Sequence, residues 1–532
     1  MDRDIIGRGT WIDKVSSDLI EKEKKLDRSL DLIVTESGLG ASGIPHVGSI
    51  ADAIRSYAVT LALRDMGYSS KTIAFSDDMD GLRKIPTGLP STLERHLLKP
   101  VSMIPDPFSC HESYAAHMSG LLIEALDECD IEYEIGSGRE IYESGKMAPF
   151  IEKILIEWER VGKKIEELTG QEKFTIMLPY FAICSRCGRI YTTHALSYDK
   201  KTKKVRYICR GTEIRDKKYK GCGHQGEADI RRANGKLNWK AEFAARWALL
   251  DIRFEAYGKD IADSVEVNDW VSREVLGFEP PMHVRYEMFL DVMGRKISKS
   301  IGNVFTPQIW LRYGSPESLI LYMLKRFRGT RRTSLETVKK TMLELDHLKD
   351  MYFGRVKIDN LMKLAKTRGL LEYAYRLASV EDVGTPYGLV LNLAVASPEG
   401  SEFEFIASRL RAYGYVEEEV PTEVEKKIVY AVNWVTEVEK RLKRAWVETT
   451  DKEKEALKDL IEKISDAPNG DYIQNKVFEV VHRHGLKTRE FFPILYEMLL
   501  GRGQGPRIGP LIMDMGPGNV SKILRTQIEA TA

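Results

Sequence analysis

A glycine-rich turn between an apolar run and a helical repeat constrains this chain more than any other stretch. "DLIVT" (Asp31 to Thr35) is apolar and β-branched, the composition of a short buried strand. "ADAIRSYAVTLALRDMGY" repeats apolar residues at helical spacing through Ile54, Tyr57, Ala58 and Leu61. Between them lies "GASGIPHVGSI", Gly40 to Ile50. A strand, a tight turn and a helix N-terminus in this order aim backbone N–H groups at one point, which suits a phosphate. The turn is neither G-x-G-x-x-G nor G-x-x-x-x-G-K-[ST]. A phosphate chemistry here would need the imidazole of His46 in place of the P-loop lysine; the other reading is a helix-capping turn with an incidental histidine.

The rest of the chain extends this pattern. "KTIAFSDDMD" (Lys71 to Asp80) reads as a second strand ending in acidic residues, and strands alternate with helices from about 30 to 170. Such alternation implies a parallel sheet with ligands at the strand C-termini. Residues 174–230 break it with cysteines and lysines, and it returns in "LNWKAEFAARWALLDIRFEAYGKDI" (Leu237 to Ile261). From about Ser334 onward the periodicity is helical. The expected fold is α/β, a parallel sheet with an insert, followed by an all-α C-terminal part.

At 532 residues and 43% apolar, the chain can fill several cores. Its net charge of +1 means that any nucleic-acid surface must be sought in local patches. The N-terminus lacks a signal-peptide apolar core, and no run reaches the roughly 20 apolar residues of a membrane helix. A cytoplasmic protein with no membrane contact and no evident obligatory protein partner is the expectation.

"VMGRKISKSIGNVF" (Val292 to Phe305) places Lys296 and Lys299 on a loop between Gly294 and Gly302. Alone this is an ordinary basic turn, but a glycine-hinged loop can also swing two cations onto a triphosphate. Together with "PHVGS" it resembles the HIGH and KMSKS signatures of class I aminoacyl-tRNA synthetases. Ser49 replaces the second histidine of the first signature, and Ile297 the methionine of the second. "SDDMDGLRKIP", "LNWKAEFAARWALLDIRFEAYGKD" and "LLGRGQGPRIGPLI" resemble one group more particularly, the mainly archaeal class I lysyl-tRNA synthetases, and the likeness runs over nearly the whole chain.

That resemblance implies a Rossmann-type catalytic domain over 1–270 with a zinc-binding insert at about 174–230. It further implies a KISKS loop and stem-contact region over 271–345, and an α-helical anticodon-binding domain over 346–532. It implies ATP-dependent attachment of lysine to tRNA(Lys) through a lysyl-adenylate, with Mg²⁺, releasing AMP and diphosphate. His46, Lys296 and Lys299 would be catalytic, stabilising charge on the phosphate oxygens as the amino acid carboxylate attacks. Gly43, Gly48, Ser49, Gly258, Asp260 and Ser298 would join them in binding ATP, with Asp260 at the ribose.

A pocket for lysine needs carboxylates, hydroxyls and an aromatic wall. Thr35, Glu36 and Ser37 follow the first strand, Asp77, Asp78 and Asp80 end the second, and Trp239 offers a ring. Asp77–Asp78 also fits a helix cap, and Trp239 also fits a core. The family often has histidine after G-K-D, where this chain has Ile261. A synthetase for another amino acid such as glutamate is the alternative, but an acidic substrate calls for arginine where the first turn offers Glu36. A tRNA-binding paralogue without catalysis is a further alternative, opposed by the intact His46, Lys296 and Lys299.

Cys184-x-x-Cys187, Cys209 and Cys222-Gly-His224 fit a four-thiolate zinc site, with His224 or His194 as possible substitutes for one thiolate. Cys110 and Cys129 stand alone in the sequence and read as buried free thiols. Ten lysines and arginines lie between Lys200 and Lys220. They read either as a solvated face or as a contact for tRNA phosphates.

Overall fold

The computed structural model describes residues 5–214, 217–291, 293–295, 297, 305–325, 329–439, 447–501 and 503–530. Lys296, Ser298, Lys299 and Gly302 lie outside the described residues.

Helix α1 (Trp11–Lys25) starts at a capping box in which Thr10 and Asp13 exchange hydrogen bonds. Then come β1 (Ile33–Leu39), α2 (Val47–Asp65), β2 (Ser70–Ser76), α3 (Tyr114–Glu128), β3 (Glu134–Ser137), α4 (Gly138–Glu143), α5 (Ala148–Ile156) and α6 (Trp158–Thr169). The insert contributes β4 (Tyr180–Ala182), β5 (Thr193–Asp199), β6 (Lys204–Cys209), β7 (Gly211–Ile214), β8 (Lys217–Lys220), β9 (Gln225–Asp229) and β10 (Gly235–Leu237). After it follow α7 (Trp239–Leu250), β11 (Ile252–Gly258), α8 (Ala262–Val271), β12 (Met282–Tyr286), and the short pair β13 (Phe289–Leu290) and β14 (Arg331–Arg332).

Five strands form one parallel sheet in the order β12-β11-β1-β2-β3. The central strand β1 is buried along both faces, so apolar residues on it need no alternation. It begins two residues later than the apolar run suggests and runs on through polar Glu36 and Ser37. Pairing on both sides fixes this backbone, and Arg246 meets the Glu36 carboxylate at 2.6 Å. The strand order reverses between β1 and β11, and in such sheets the crevice at the strand C-termini beside that switch takes the ligand. The insert is a set of small antiparallel sheets, β10-β4, β5-β6-β9 and the hairpin β7–β8. Its core, around Tyr180, Val205, Tyr207 and Ala228, is continuous with apolar residues of α5 to α8.

The chain divides into two compact units. The first comprises Met1–Leu311, Pro316–Thr337 and Asp350–Val380. The second comprises Arg312–Ser315, Val338–Lys349 and Glu381–Ala532, and its described residues contain helices and no strand. Leu457, Leu460, Ile473, Val477, Phe491, Leu495 and Ile512 are fully or almost fully buried in its core. Gly509 is required there, because a Cβ would stand 2.1 Å from the Gly470 carbonyl oxygen. In the helix Thr422–Asn433 the buried face includes Val424 and Ile428, as its periodicity predicts, and also Lys427, which Asp346 holds at 3.0 Å. No helix among the described residues is long and apolar enough to cross a membrane.

Candidate functional site

A cavity of about 870 Å³ opens at the C-terminal ends of β1, β2 and β11. Its lining includes His46, Gly48, Gly258 and Asp260, the carboxylates Asp77 and Asp80 with Trp239, and Arg83, Lys84, Lys217 and Tyr219.

His46 is the N-cap of α2, in extended backbone. Its Nδ1 accepts the Gly48 N–H at 3.0 Å, and Ser49 Oγ accepts the His46 N–H at 3.3 Å. Accepting at Nδ1 requires that nitrogen to be unprotonated, so the neutral ring carries its proton on Nε2. Ser49 is thus committed to the cap. The space a Cβ at Gly48 would need is held by the His46 ring, 2.8 Å away. Glycine is demanded there by the cap itself, in addition to any nucleotide. Gly258 is similar, since a Cβ would meet Asp260 Oδ1 at 2.7 Å. Beside them Tyr286 lines the cavity and donates its hydroxyl to Asp52 of α2. The Arg55 guanidinium lies 4.1 Å from the Tyr286 ring centre. Burial pushes the Asp52 carboxyl up to about 8, against the pull of Tyr286 and Arg55.

The acidic sector is a charge network that the sequence does not announce. Arg246 of α7 meets Glu36 at 2.6 Å, Asp77 at 3.0 Å and Glu255 at 3.8 Å. Its guanidinium also lies over the rings of Phe75 and Phe243. Lys236 is buried between Asp80 and Glu242, each at 2.6 Å. Five carboxylates therefore share Arg246 and Lys236, with Arg83 also acting on Asp80. Burial raises Glu36, Asp77, Glu242 and Glu255 above the usual carboxylate range, while Lys236 and Arg83 hold Asp80 below it against its own burial. Trp239 packs edge-on to Phe243, and Ile261 joins the same apolar cluster. The position that is often histidine in the family is here packed into an apolar cluster.

Several candidate residues face elsewhere. Thr35 points under the sheet, where its hydroxyl meets Thr60 at 2.9 Å and Thr72 at 3.1 Å, so it braces α2 and does not reach the cavity. Asp78 accepts from the Ser137 hydroxyl at 2.6 Å and the Arg139 N–H at 2.7 Å, the helix-capping reading of Asp77–Asp78, here on α4. Glu36 and Ser37 are fully buried behind the cavity wall, and neither they nor Gly43 and Ser49 are among the residues that line it.

Around the KISKS stretch, Ile297 is buried, donates its N–H to the Phe289 carbonyl at 3.1 Å and lines the cavity. Asp291 accepts from the N–H groups of Met293 and Arg295, both at 2.9 Å, closing a turn. Gly294 takes a φ of +78° there and donates to the Asp291 carbonyl. It is a turn glycine fixed by hydrogen bonds, which weakens its reading as a free hinge. On the far side, Val47 donates to the Phe305 carbonyl at 2.7 Å and ties the end of this segment to the start of α2.

Two side-chain clusters have metal-ligand geometry. Cys184, Cys187, Cys209 and Cys222 bring their sulfurs within 4.8 Å of one another, with Cys184–Cys222 at 3.5 Å and Cys187–Cys209 at 3.9 Å. Thiolates about 2.3 Å from a tetrahedral zinc stand about 3.8 Å apart, so the cage fits the ion. His224 instead meets Ser185 Oγ at 2.8 Å, and His194 meets the Gly211 carbonyl at 3.0 Å, so neither replaces a thiolate. Cys129 is buried as expected, but Cys110 is exposed, which corrects its reading as a buried thiol. It clusters with Asp106, His111 and His117, all ligand atoms within 4.8 Å. Cys110 Sγ is 3.2 Å from Nδ1 of each histidine, and Asp106 is anchored by the N–H groups of Phe108, Cys110 and His111. The signal in the sequence is the Cys-His dipeptide of "DPFSCHESYAAH", with an acid four residues before the cysteine and a histidine seven after it.

The parallel sheet with its switch-point crevice and imidazole-capped helix defines a nucleotide-binding α/β protein. Residues 9–378 match the family described as tRNA synthetases class I (K), and the chain belongs to that family. It is 49% identical over 527 residues to a lysine–tRNA ligase of Cenarchaeum symbiosum (strain A), covering 98% of this chain and 99% of that protein. A lysine–tRNA ligase of Methanosphaera stadtmanae is 28% identical over 555 residues, 97% and 99% of the two chains. Among solved structures, a glutamate tRNA ligase from Elizabethkingia meningosepticum in complex with its amino acid aligns over 94% of this chain and 100% of that one, with a TM-score of 0.43 and 13% identity.

Proposed function

We propose that this chain activates lysine with ATP and transfers the lysyl group to its tRNA. The observation that carries the reading is that one cavity is lined both by a helix N-terminus with an imidazole donor and by an excess of carboxylates around Asp77 and Asp80. Five carboxylates outnumber the three cations Arg246, Lys236 and Arg83 that face them, which favours a further cation, and lysine brings one in its side chain. An arginine does stand in this network, as a glutamate pocket would require, but three carboxylates already surround it. The lysine–tRNA ligases among the relatives point the same way.

In this reading the lysine ammonium lies against Asp77 and Asp80, with Trp239 along its methylenes. Its carboxylate oxygen attacks the α-phosphorus of ATP; the bond to the leaving diphosphate breaks, and lysyl-adenylate remains. His46 donates from Nε2 to phosphate oxygens as charge develops on them, and Lys296 and Lys299 serve the same oxygens from the KISKS loop. Asp260 and Gly258 receive the ribose. A ribose hydroxyl at the tRNA 3′ end then attacks the lysyl carbonyl, and AMP leaves. The family implies Mg²⁺, which neutralises triphosphate charge when bound. Its ligands come chiefly from the phosphates and water, so no dedicated protein cage is required.

The four-thiolate cage holds a structural zinc, and Asp106, Cys110, His111 and His117 hold a second ion of the same kind, a donor set within zinc's usual range. The helical unit that includes residues 381–530 reads the anticodon end of the tRNA. ATP–diphosphate exchange with each of the twenty amino acids tests the central claim. Exchange that depends on lysine is expected; exchange driven by glutamate, or by no amino acid, overturns it.

A further inference from the structure

Asp80 lies just past the end of β2, yet much of what holds it comes from the insert. Lys236 of β10 meets its carboxylate at 2.6 Å. The backbone around it belongs to the same frame. The Asp80 carbonyl accepts the Val101 N–H at 2.8 Å, and Leu98 donates to the Leu82 carbonyl at 2.8 Å. The Leu98 carbonyl in turn accepts the Ile190 N–H at 2.8 Å. Ile190 directly follows the turn of the first cysteine pair, which Gly188 closes by donating to the Cys184 carbonyl at 2.8 Å. A continuous run of hydrogen bonds thus joins the thiol turn to the Asp80 stretch.

Tyr191, the next residue, is buried at the centre of this frame. Its hydroxyl accepts the Gly81 N–H at 3.1 Å and Arg83 Nη2 at 3.3 Å. A phenolic hydroxyl that takes two donors still has its own proton to give. Asp80 receives it: burial would raise that carboxyl, and Lys236, Arg83 and the Tyr191 hydroxyl overcome the burial and keep the group below its ordinary range. Gly81 is glycine for the same contact, because a Cβ there would stand 2.7 Å from Tyr191 Cε2.

Arg83 is the rival for this carboxylate. It lines the cavity, and its charge acts on Asp80. Its guanidinium carbon lies 4.9 Å from the Tyr191 ring centre, so the ring as well as the hydroxyl binds it. A guanidinium tied in this way is not free to close over Asp80.

We propose that Tyr191 is a positioning residue for Asp80: through its hydroxyl the insert aims the carboxylate and restrains Arg83, so that a substrate ammonium can settle beside Asp80. This rests on the reading of Asp80 as a contact for the lysine ammonium, and it gives the insert a part in selecting the amino acid.

The test uses ATP–diphosphate exchange with the full chain. Tyr191→Phe keeps the ring and removes only the hydroxyl. Its KM for lysine should rise about 2- to 13-fold, the worth of one ordinary hydrogen bond, while kcat and the KM for ATP stay at wild type. Because the hydroxyl acts through one carboxylate, Tyr191→Phe/Asp80→Asn should have the KM for lysine of Asp80→Asn alone. Arg83→Met should not raise the KM for lysine, since a rival cation is removed. An unchanged KM for lysine in Tyr191→Phe, or a rise shared equally by ATP, overturns the proposal. So does a further rise in the double variant, which would leave Tyr191 a structural residue of the insert. A raised KM for lysine in Arg83→Met overturns the account of Arg83 as a rival. Failure of the underlying reading shows separately: the wild-type protein would then give no lysine-dependent exchange, or Asp80→Asn would leave the KM for lysine unchanged.

Discussion

Replacing His46 separates two functions that one ring performs. Its Nδ1 caps α2 through the Gly48 N–H, and in the proposed mechanism its Nε2 donates to the phosphates. His46→Ala removes both. Loss of an N-cap costs about 1 kcal/mol, which in a unit of this size lowers Tm by about 1–2 °C. Loss of a preorganised donor to the developing charge lowers kcat for lysine activation by about 10²–10³, with a much smaller change in the KM for ATP. His46→Asn restores the first and not the second. Asparagine is among the best N-caps, and its Oδ1 can accept the same Gly48 N–H, while its side chain is too short to place a donor where Nε2 stands. The expected pattern is wild-type Tm with kcat still down by about 10²–10³. Thermal unfolding and steady-state ATP–diphosphate exchange on the two variants decide it. Wild-type kcat in His46→Asn would show that the imidazole only caps the helix, and a raised KM for ATP at unchanged kcat would show that it only binds ground-state ATP.

Asp80→Asn keeps the shape of the acidic sector, and Lys236 retains Glu242 at 2.6 Å, so the fold should survive. The KM for lysine should rise about 10- to 150-fold, the worth of one hydrogen bond to a charged group, and an equal rise for ATP would count against the assignment. Burial pushes Glu36 up to about 8, so it takes up a proton as pH falls below that value, and burial raises Asp77 and Glu255 in the same direction. A bound ammonium favours their ionised forms; lysine affinity should therefore increase as pH rises from about 6 to about 8, with protons released on binding. Calorimetry in two buffers of different ionisation enthalpy measures that release, and zero release refutes the coupling. Metal analysis should find two zinc ions per chain, one lost in Cys222→Ser and the other in His117→Ala; a wild-type protein with one ion that survives His117→Ala would remove the second site.

What can be read from the sequence follows the range of the interactions. The strand–turn–helix around His46 is written in neighbouring residues, in apolar spacing and in a capping box closed within three positions. The thiol cage is legible because two cysteines three apart and two near glycines are a local signature. The charge network is not: Arg246 and Lys236 lie more than 150 residues from the Asp77–Asp80 stretch they neutralise, and nothing local in "EFAARWALL" marks one arginine as buried. Thr35 is misplaced because it sits at the end of the apolar run, and only the alternation of a strand that continues beyond it turns its hydroxyl away from the cavity. The cluster around Cys110 is hidden because its four ligands are of three chemical types with no repeat. The two faces of the lysine run need the pairing register of β7 with β8.

The placing of β11 beside β1 also sets a schedule for synthesis. Val34 pairs with Ile252, so the central strand is made long before the neighbour that completes the switch-point crevice. At about 5–20 residues per second, the roughly two hundred residues between them take about 10–40 s to emerge. During that interval one edge of β1 has no partner from its own sheet, while the insert, whose strands pair with near neighbours, can fold as soon as it is complete. The crevice therefore closes only once β11 has been made, before β12 adds the outer edge, and a chain released before residue 258 carries an open parallel edge beside β1.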